Sequence, residues 1–306
     1  MDKHISRRTF GKLALGTAAA TGLTPFLAHP TFAALSNRAH GVILTSATFA
    51  QLQNCISRGG YNTLKVVTGW GLQDRSMTDP TTIAQLCAMT PNTIVRTAVG
   101  DGCGTDSNPY PDQVVAQIRP WYQAKQNILI ELGNEPNNKA WNGSADSIWV
   151  WRYYLDQAIS ACRANFPNAM IISPGLATGS SVNQWFQISS DVMRKANYVG
   201  FHAYEFYDFT GPAGPDWQII VPLMQQYFGD VYWALTEFGI NDTSQTSQAT
   251  KGYRYAGLVQ QGESNPQMPW NVAYATYYHL MTAPGGPDPA YNIYGAGDDA
   301  YRNHSY

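Results

Sequence analysis

Charge is scarce in this chain. Only 13% of its 306 residues are Asp, Glu, Lys or Arg, and 19 basic against 21 acidic side chains leave a net charge of −2. That balance supplies no basic face for a phosphate backbone and no acidic tail, which argues against nucleic acid as a partner. Cysteine is sparse too: Cys55, Cys87, Cys103 and Cys162 lie at wide intervals with no Cys-x-x-Cys pair, so neither a zinc site nor a thioredoxin-like motif is implied. Cys55, Cys87 and Cys162 fall on predicted helices, where a buried thiol acts as a small hydrophobe, while Cys103 sits in a Gly-rich loop. Beyond the N-terminal region no apolar run reaches the roughly 20 residues that crossing a bilayer requires. No Gly-x-Ser-x-Gly elbow, Walker loop or His-Glu-x-x-His occurs, and these absences remove three large classes of chemistry. Gly100-Asp101-Gly102-Cys103-Gly104 follows a strand but opens no helix, and His202-x-x-Glu205 lacks further ligands; no cofactor and no metal are expected.

Aromatic residues, by contrast, are plentiful, with nine Trp and nineteen Tyr. Most such rings fill cores, yet rings on loops can also stack on the C–H faces of sugars. The N-terminus has its own pattern. Ser6-Arg7-Arg8-Thr9-Phe10-Gly11-Lys12 carries a twin arginine, followed by a weakly apolar run from Leu13 to about Leu27 and the small residues of Thr31-Phe32-Ala33-Ala34. These zones come in the order of an export signal. The segment resembles a twin-arginine signal peptide over 1–34, which implies passage through the twin-arginine export machinery. The mature protein would then be secreted or periplasmic, without membrane attachment once the signal is removed.

From residue 35 onward, apolar β-type runs alternate with helical patterns, and such alternation predicts βα units on a parallel sheet. Strands are expected at 40–46, 63–69, 93–99, 127–133, 169–174, 197–203, 231–237 and 271–279, with helices near 47–58, 81–88, 112–125, 145–165, 183–195, 217–228 and 247–261. Eight strands with seven interposed helices fit a single-domain (β/α)8 TIM barrel over 35–306. A doubly wound sheet is the competing arrangement, and periodicity alone does not separate them. The Gly-, Pro- and Tyr-rich tail after Thr282 holds at most a short closing element.

In a barrel the active site gathers at the C-terminal ends of the strands, and the notable polar residues fall there. Asn134 and Glu135 close the fourth strand, His202 and Tyr204 the sixth, Glu237 the seventh, and Tyr278 and His279 the eighth. Two carboxyls at strand ends suit cleavage of a glycosidic bond, one as acid and one as nucleophile or base. The acid must hold its proton near neutral pH, which requires a raised pKa. Glu131 shares Glu135's side of the strand and should point into the barrel lower down, where a charge needs a partner such as Arg96.

Gly133-Asn134-Glu135-Pro136-Asn137 on the fourth strand, together with Thr236-Glu237-Phe238-Gly239 on the seventh, resembles clan A of the retaining glycoside hydrolases, in a form like families 39 and 5. The resemblance spans about residues 40–280. It implies that Glu135 is the general acid/base, that Glu237 is the nucleophile and that Asn134 binds the hydroxyl beside the anomeric carbon. His202 and Tyr204 then take the sixth-strand position that partners the nucleophile; a hydrogen-bonded core pair is the alternative for those two. The implied substrate is a β-linked glycan, with Trp70, Trp141, Tyr207 and Tyr278 as further sugar contacts. Two departures stand out. Where many members end the second strand with an Arg, this chain has Thr68-Gly69-Trp70, leaving Arg75 or Arg96 to stand in; and Trp270 precedes the eighth strand instead of ending it. A sugar-binding barrel without catalysis and a transglycosylase using the same two glutamates are the competing readings.

Overall fold

The computed structural model describes residues 39–43, 47–58, 61–69, 72–100, 108–138, 144–179, 181–204, 215–239, 249–253, 255 and 272–277. The proposed signal segment, Cys103, the tail, and Trp70, Trp141, Tyr207, Tyr278, His279 and Trp270 lie outside them.

In chain order the elements are β1 (Ala39–Ile43), α1 (Phe49–Ser57), β2 (Thr63–Val67), α2 (Pro80–Met89), β3 (Asn92–Arg96), α3 (Pro111–Ala124), β4 (Leu129–Glu131), α4 (Ala145–Asn165), β5 (Met170–Ile172), α5 (Val182–Met193), β6 (Val199–Tyr204), α6 (Pro215–Phe228), β7 (Trp233–Gly239) and β8 (Val272–Tyr277). Residues 249–253 are also helical, within the seventh expected helix. The strands form one sheet in the order β5-β4-β3-β2-β1-β8-β7-β6, and a parallel bridge between Ile172 and Tyr198 joins its two ends. Each strand thus neighbours its successor and the sheet closes, which makes the fold a (β/α)8 barrel and removes the doubly wound alternative.

Helix starts follow local chemistry. Thr48 caps α1 in a reciprocal box with Gln51, Asp79 accepts from the amides of Thr81 and Thr82 ahead of Pro80 in α2, and Ser144 caps α4. These side chains satisfy amides that have no partner inside the helix. At the far end of α2, Lys125 Nζ donates to the carbonyls of Cys87, Thr90 and Pro91 at 3.1, 2.9 and 2.7 Å, a cation placed where the helix dipole is negative.

Alternation along the strands sorts two cores. Leu64, Val66, Val95, Ile130, Ile171, Val199, Phe201, Trp233 and Leu235 face outward and pack with buried helix residues such as Trp121, Trp151 and Trp185. Ile94, Leu129, Ile172, Tyr198 and Ala234 pack together inside the barrel. Cys87 and Cys162 belong to the outer core, where burial pushes their thiols up to about 11 and about 12. Such thiols stay protonated and pack as hydrophobes.

Two strands depart from regularity, and both departures bear on the site. β4 ends at Glu131, two residues before the expected end, because Gly133 adopts φ +86°. β7 carries one extra residue: Phe201 pairs with Leu235 but His202 pairs with Glu237, skipping Thr236. A bulge of this kind reverses the alternation beyond it. Ala234 faces the barrel interior and Leu235 the helices; after the bulge Glu237 faces inward and Phe238 joins the outer core. In a regular strand Glu237 would point into the helix layer.

Trp151 and Trp185 meet edge to face at 5.0 Å between α4 and α5. Replacing Trp151 with Ala should cost about 3–5 kcal/mol in urea unfolding, as for other fully buried large aromatics. Trp149→Ala, two residues away and 52% exposed, should change stability by roughly 0.5 kcal/mol or less.

Candidate active site

Above the apolar layer the barrel interior turns ionic. Lys65 from β2, Arg96 from β3, Glu131 from β4, His202 from β6 and Glu237 from β7 are all at most 2% exposed, with Asn134 and Glu135 at 4% and 8%. Ions at such depth are costly unless paired, and each of these charged side chains has an opposite charge beside it.

Glu237 is held on both oxygens. Oε1 is ion-paired with the Arg96 guanidinium and lies 3.3 Å from Lys65 Nζ, while Oε2 accepts from the Tyr204 hydroxyl at 2.5 Å. Burial would raise its pKa, but the His202, Lys65 and Arg96 charges and the Tyr204 hydroxyl hold it well below the usual carboxylate range. Glu237 is therefore ionised at any physiological pH.

Glu135 sits on a turn that the sequence builds deliberately. Gly133 has its φ of +86° where a Cβ would overlap the Gly100 carbonyl, so only glycine lets the chain pass. Asn134 N then donates to Gly100 O at 3.1 Å and Glu135 N to Gly175 O at 2.9 Å. Glu135 itself adopts φ +40°, a left-handed conformation that costs on the order of 1–3 kcal/mol for a side chain of this kind. The surrounding bonds hold it there: Asn137 Nδ2 donates to Ala177 O at 2.7 Å and its Oδ1 accepts from Ala177 N at 2.8 Å. The Glu135 carboxyl has a partner on each oxygen, His202 Nδ1 at 2.7 Å from Oε1 and Asn138 Nδ2 donating to Oε2 at 2.7 Å.

His202 is the common neighbour of three glutamates. Its Nδ1 is 3.7 Å from Glu237 Oε2 as well, and its Nε2 is 3.9 Å from Glu131 Oε1, an electrostatic contact longer than a hydrogen bond. Burial would lower the imidazole pKa, but the Glu237, Glu131 and Glu135 carboxylates push it up to about 9. The ring fits because Gly175, after β5, has no Cβ; one there would overlap the imidazole. One ligand atom each from Glu135, His202 and Glu237 lie within 4.8 Å of one another. Ligand types suit a cation, yet Glu237 already has Lys65 and Arg96 as counter-ions and the Glu135 oxygens are bonded to His202 and Asn138, an arrangement that also suits proton chemistry.

The site thus unites Asn134, Glu135, His202, Tyr204 and Glu237 as expected from sequence; the four loop aromatics fall outside the described residues. Arg96 is the cation that stands in for the second-strand Arg, and it also donates to Asn134 Oδ1 at 2.7 Å. Arg75 is not: its guanidinium lies 3.7 Å from the Phe49 ring centroid and bonds Gln85. Glu131 does face into the barrel, where its ion-pair partner is Lys65 at 2.7 Å, with Arg96 contributing only through its field. Lys65 and Asn138 were missed. A lysine inside Thr63-Leu64-Lys65-Val66-Val67, at the parity that faces inward, was the available signal for the first.

Solved structures share this architecture. An endo-β-1,3-glucanase of glycoside hydrolase family 128 from Sorangium cellulosum aligns at TM-score 0.59 and 16% identity over 87% of this chain and 98% of its own. A family 53 catalytic domain from Ignisphaera aggregans gives 0.57 and 14% over 86% and 95%, and a β-mannanase from Thermomonospora fusca, solved with mannotriose, 0.54 and 14% over 84% and 85%. At these identities the likeness is one of fold. No curated protein matches in sequence. A family model does: cellulase, glycosyl hydrolase family 5, over residues 100–275, a span that holds both Glu135 and Glu237. Carrying more than half of its length on that family's pattern, and both carboxyls where that pattern runs, the chain belongs to glycosyl hydrolase family 5 and is a glycosidase.

Proposed function

We propose that the protein is an exported, retaining β-glycosidase that cuts a polysaccharide by double displacement. The observation that carries this reading is the spacing and environment of the two carboxyls. Oxygens of Glu135 and Glu237 lie within 4.8 Å of each other; retaining enzymes hold their carboxyls about 5–5.5 Å apart, whereas inverting ones leave about 6.5–9.5 Å for a water. Glu237, ionised and pinned by Arg96, Lys65 and Tyr204, attacks the anomeric carbon. Glu135 delivers a proton to the departing oxygen and in the second step takes one from water. His202, with Nδ1 2.7 Å from Glu135 Oε1, orients that carboxyl between the two steps. Asn134, whose oxygen accepts from Arg96, is the residue that binds the hydroxyl beside the anomeric carbon.

Export rests on the order of charged, apolar and small-residue zones in residues 1–34, read as a twin-arginine signal. A polymer is the favoured substrate because an exported enzyme meets polymers. Among the fold's relatives are an endo-β-1,3-glucanase and a β-mannanase, so those two glycans head the panel to be tested.

Incubation with β-1,3-glucan, β-mannan, mixed-linkage glucan, cellulose and xylan should release oligosaccharides from at least one. Glu135→Gln and Glu237→Gln should each lower kcat by at least about a thousandfold on it. Proton NMR of the first product should show the β anomer; an initial α anomer would overturn retention, and full activity in either variant would overturn the assignment of roles.

The same charges set a pH window for the fold. His202 has a folded pKa of about 9 against 6.5 for the free side chain, so its contribution, on the order of 3 kcal/mol, is fully present below about pH 6.5 and lost as pH rises through 9. Glu131 and Glu237 are shifted down, so theirs is present above about pH 4.5 and lost as pH falls. Thermal midpoints should therefore be highest between roughly pH 5 and 6.5. The alkaline fall between pH 7 and 9 should be largely absent in His202→Gln, and an unchanged fall there would show that another group titrates.

A further inference from the structure

Lys65 is wholly buried, and the steps above use it only as one of three groups that pin Glu237. Its ammonium makes three contacts: Thr236 O at 3.0 Å, Glu237 Oε1 at 3.3 Å and Glu131 Oε2 at 2.7 Å. Thr236 is the extra residue of the β7 bulge. One cation on β2 therefore grips the backbone irregularity that aims Glu237 inward, the carboxylate it aims, and a second carboxylate on β4.

We propose that Lys65 is a positioning residue for the nucleophile, and that Glu131 is its counter-ion and takes no proton during turnover. The inference rests on Glu237 being that nucleophile. Two cations on Oε1 do more than keep the carboxylate charged. In the second step the oxygen of water bonds to the anomeric carbon, the bond from that carbon to the Glu237 oxygen breaks with its electron pair returning to the carboxylate, and the proton of water passes to Glu135. A cation beside the departing carboxylate stabilises that charge as it forms. Lys65 thus acts chiefly on departure, whereas a plain structural ion pair would act on neither step. Glu131 has a separate task. It lies 2.7 Å from Lys65 Nζ and balances a positive charge that would otherwise be buried beside Arg96 without a counter-ion of its own.

Among the described residues, the groups that face Glu237 are Lys65 from β2, Arg96 from β3, Glu131 from β4, Glu135 from the following turn, and His202 and Tyr204 from β6. The test removes one charge of each sign from this set. Lys65→Met with Glu131→Gln preserves net charge and approximate volume, and replacing a buried ion pair in this way is commonly tolerated by the fold. The expected result is a thermal midpoint near wild type, kcat and KM lowered together by about tenfold or more with the plateau of kcat/KM within about threefold, and the acidic limb of kcat/KM moved up by about one pH unit. With an aryl β-glycoside of the responsive sugar, an initial burst of phenol equal to the enzyme concentration should appear as departure becomes limiting.

Wild-type kcat and an unmoved acidic limb in a folded double variant would overturn the proposal and leave the pair structural. If the double variant does not fold, Glu131→Gln alone decides. It keeps Lys65 and removes an anion beside Glu237, so the acidic limb should stay or move down. A rise of about a unit would mean that Glu131 itself titrates in turnover, and would overturn the proposal. Glu237→Gln run alongside separates this from the nucleophile assignment. Loss of activity in Glu237→Gln with an unaltered double variant defeats only the role of Lys65, while activity surviving in Glu237→Gln defeats the assignment beneath it.

Discussion

A carboxylate kept ionised inside a barrel is the constraint around which this molecule is organised. Glu237 is 2% exposed, and bringing such a group out of water costs several kcal/mol before any partner is counted. Arg96 and Lys65 meet that cost from adjacent strands, because inward-facing positions on β2 and β3 converge on the space below the end of β7. Two cations for one anion would overshoot, and Glu131 answers the excess. His202 then finds carboxylates on three sides and takes up a proton that burial alone would deny it. The ionic layer is one unit: each member is charged because the others are, so removing a single member leaves a buried charge unpaired, whereas removing an opposed pair need not.

The backbone makes the same point in another way. Regular strands would not build this site. β7 turns Glu237 inward only by inserting Thr236, and β4 reaches Glu135 only by ending early at Gly133 and accepting a left-handed residue at Glu135 itself. Both irregularities are fastened by contacts made for the purpose. Lys65 takes the carbonyl of the bulge, and Asn137 ties the turn to Ala177 by two hydrogen bonds. Local strain held in place by surrounding bonds is typical of functional sites, and here it falls on Glu135.

Much of this was legible in the sequence. Eight apolar runs separated by helical patterns pointed to the barrel and left the doubly wound sheet open, and the capped starts at Thr48, Asp79 and Ser144 marked three of the helices. The Asn-Glu-Pro turn and Glu237 could be placed at strand ends by counting. What could not be counted was the register. A one-residue bulge leaves no mark in periodicity, so family likeness marked Glu237 as a site residue where strict alternation in β7 would have sent it outward. The cation partners were harder still. Arg96 and Arg75 were equal candidates by composition, and only the fold shows that one faces the barrel while the other lies on Phe49. Lys65 was hidden because a lysine within an apolar strand reads as an interruption until the glutamate above it and the one beside it are seen together.

The second-strand arginine common in the clan is absent here, yet its electrostatic work is done. Arg96 supplies the guanidinium from one strand further along and uses the same group to orient Asn134; Lys65 supplies a second positive charge from the second strand, lower in the barrel. What the proposed chemistry requires is positive potential at one oxygen of Glu237, and a closed ring of parallel strands offers several inward positions within reach of that point. The identity of the strand is therefore free to drift while the charge at the point is not. For reading other barrels of this kind, the useful question is which inward-facing cations can reach the seventh-strand carboxylate, and a missing residue at one expected position is weak evidence that catalysis has been lost.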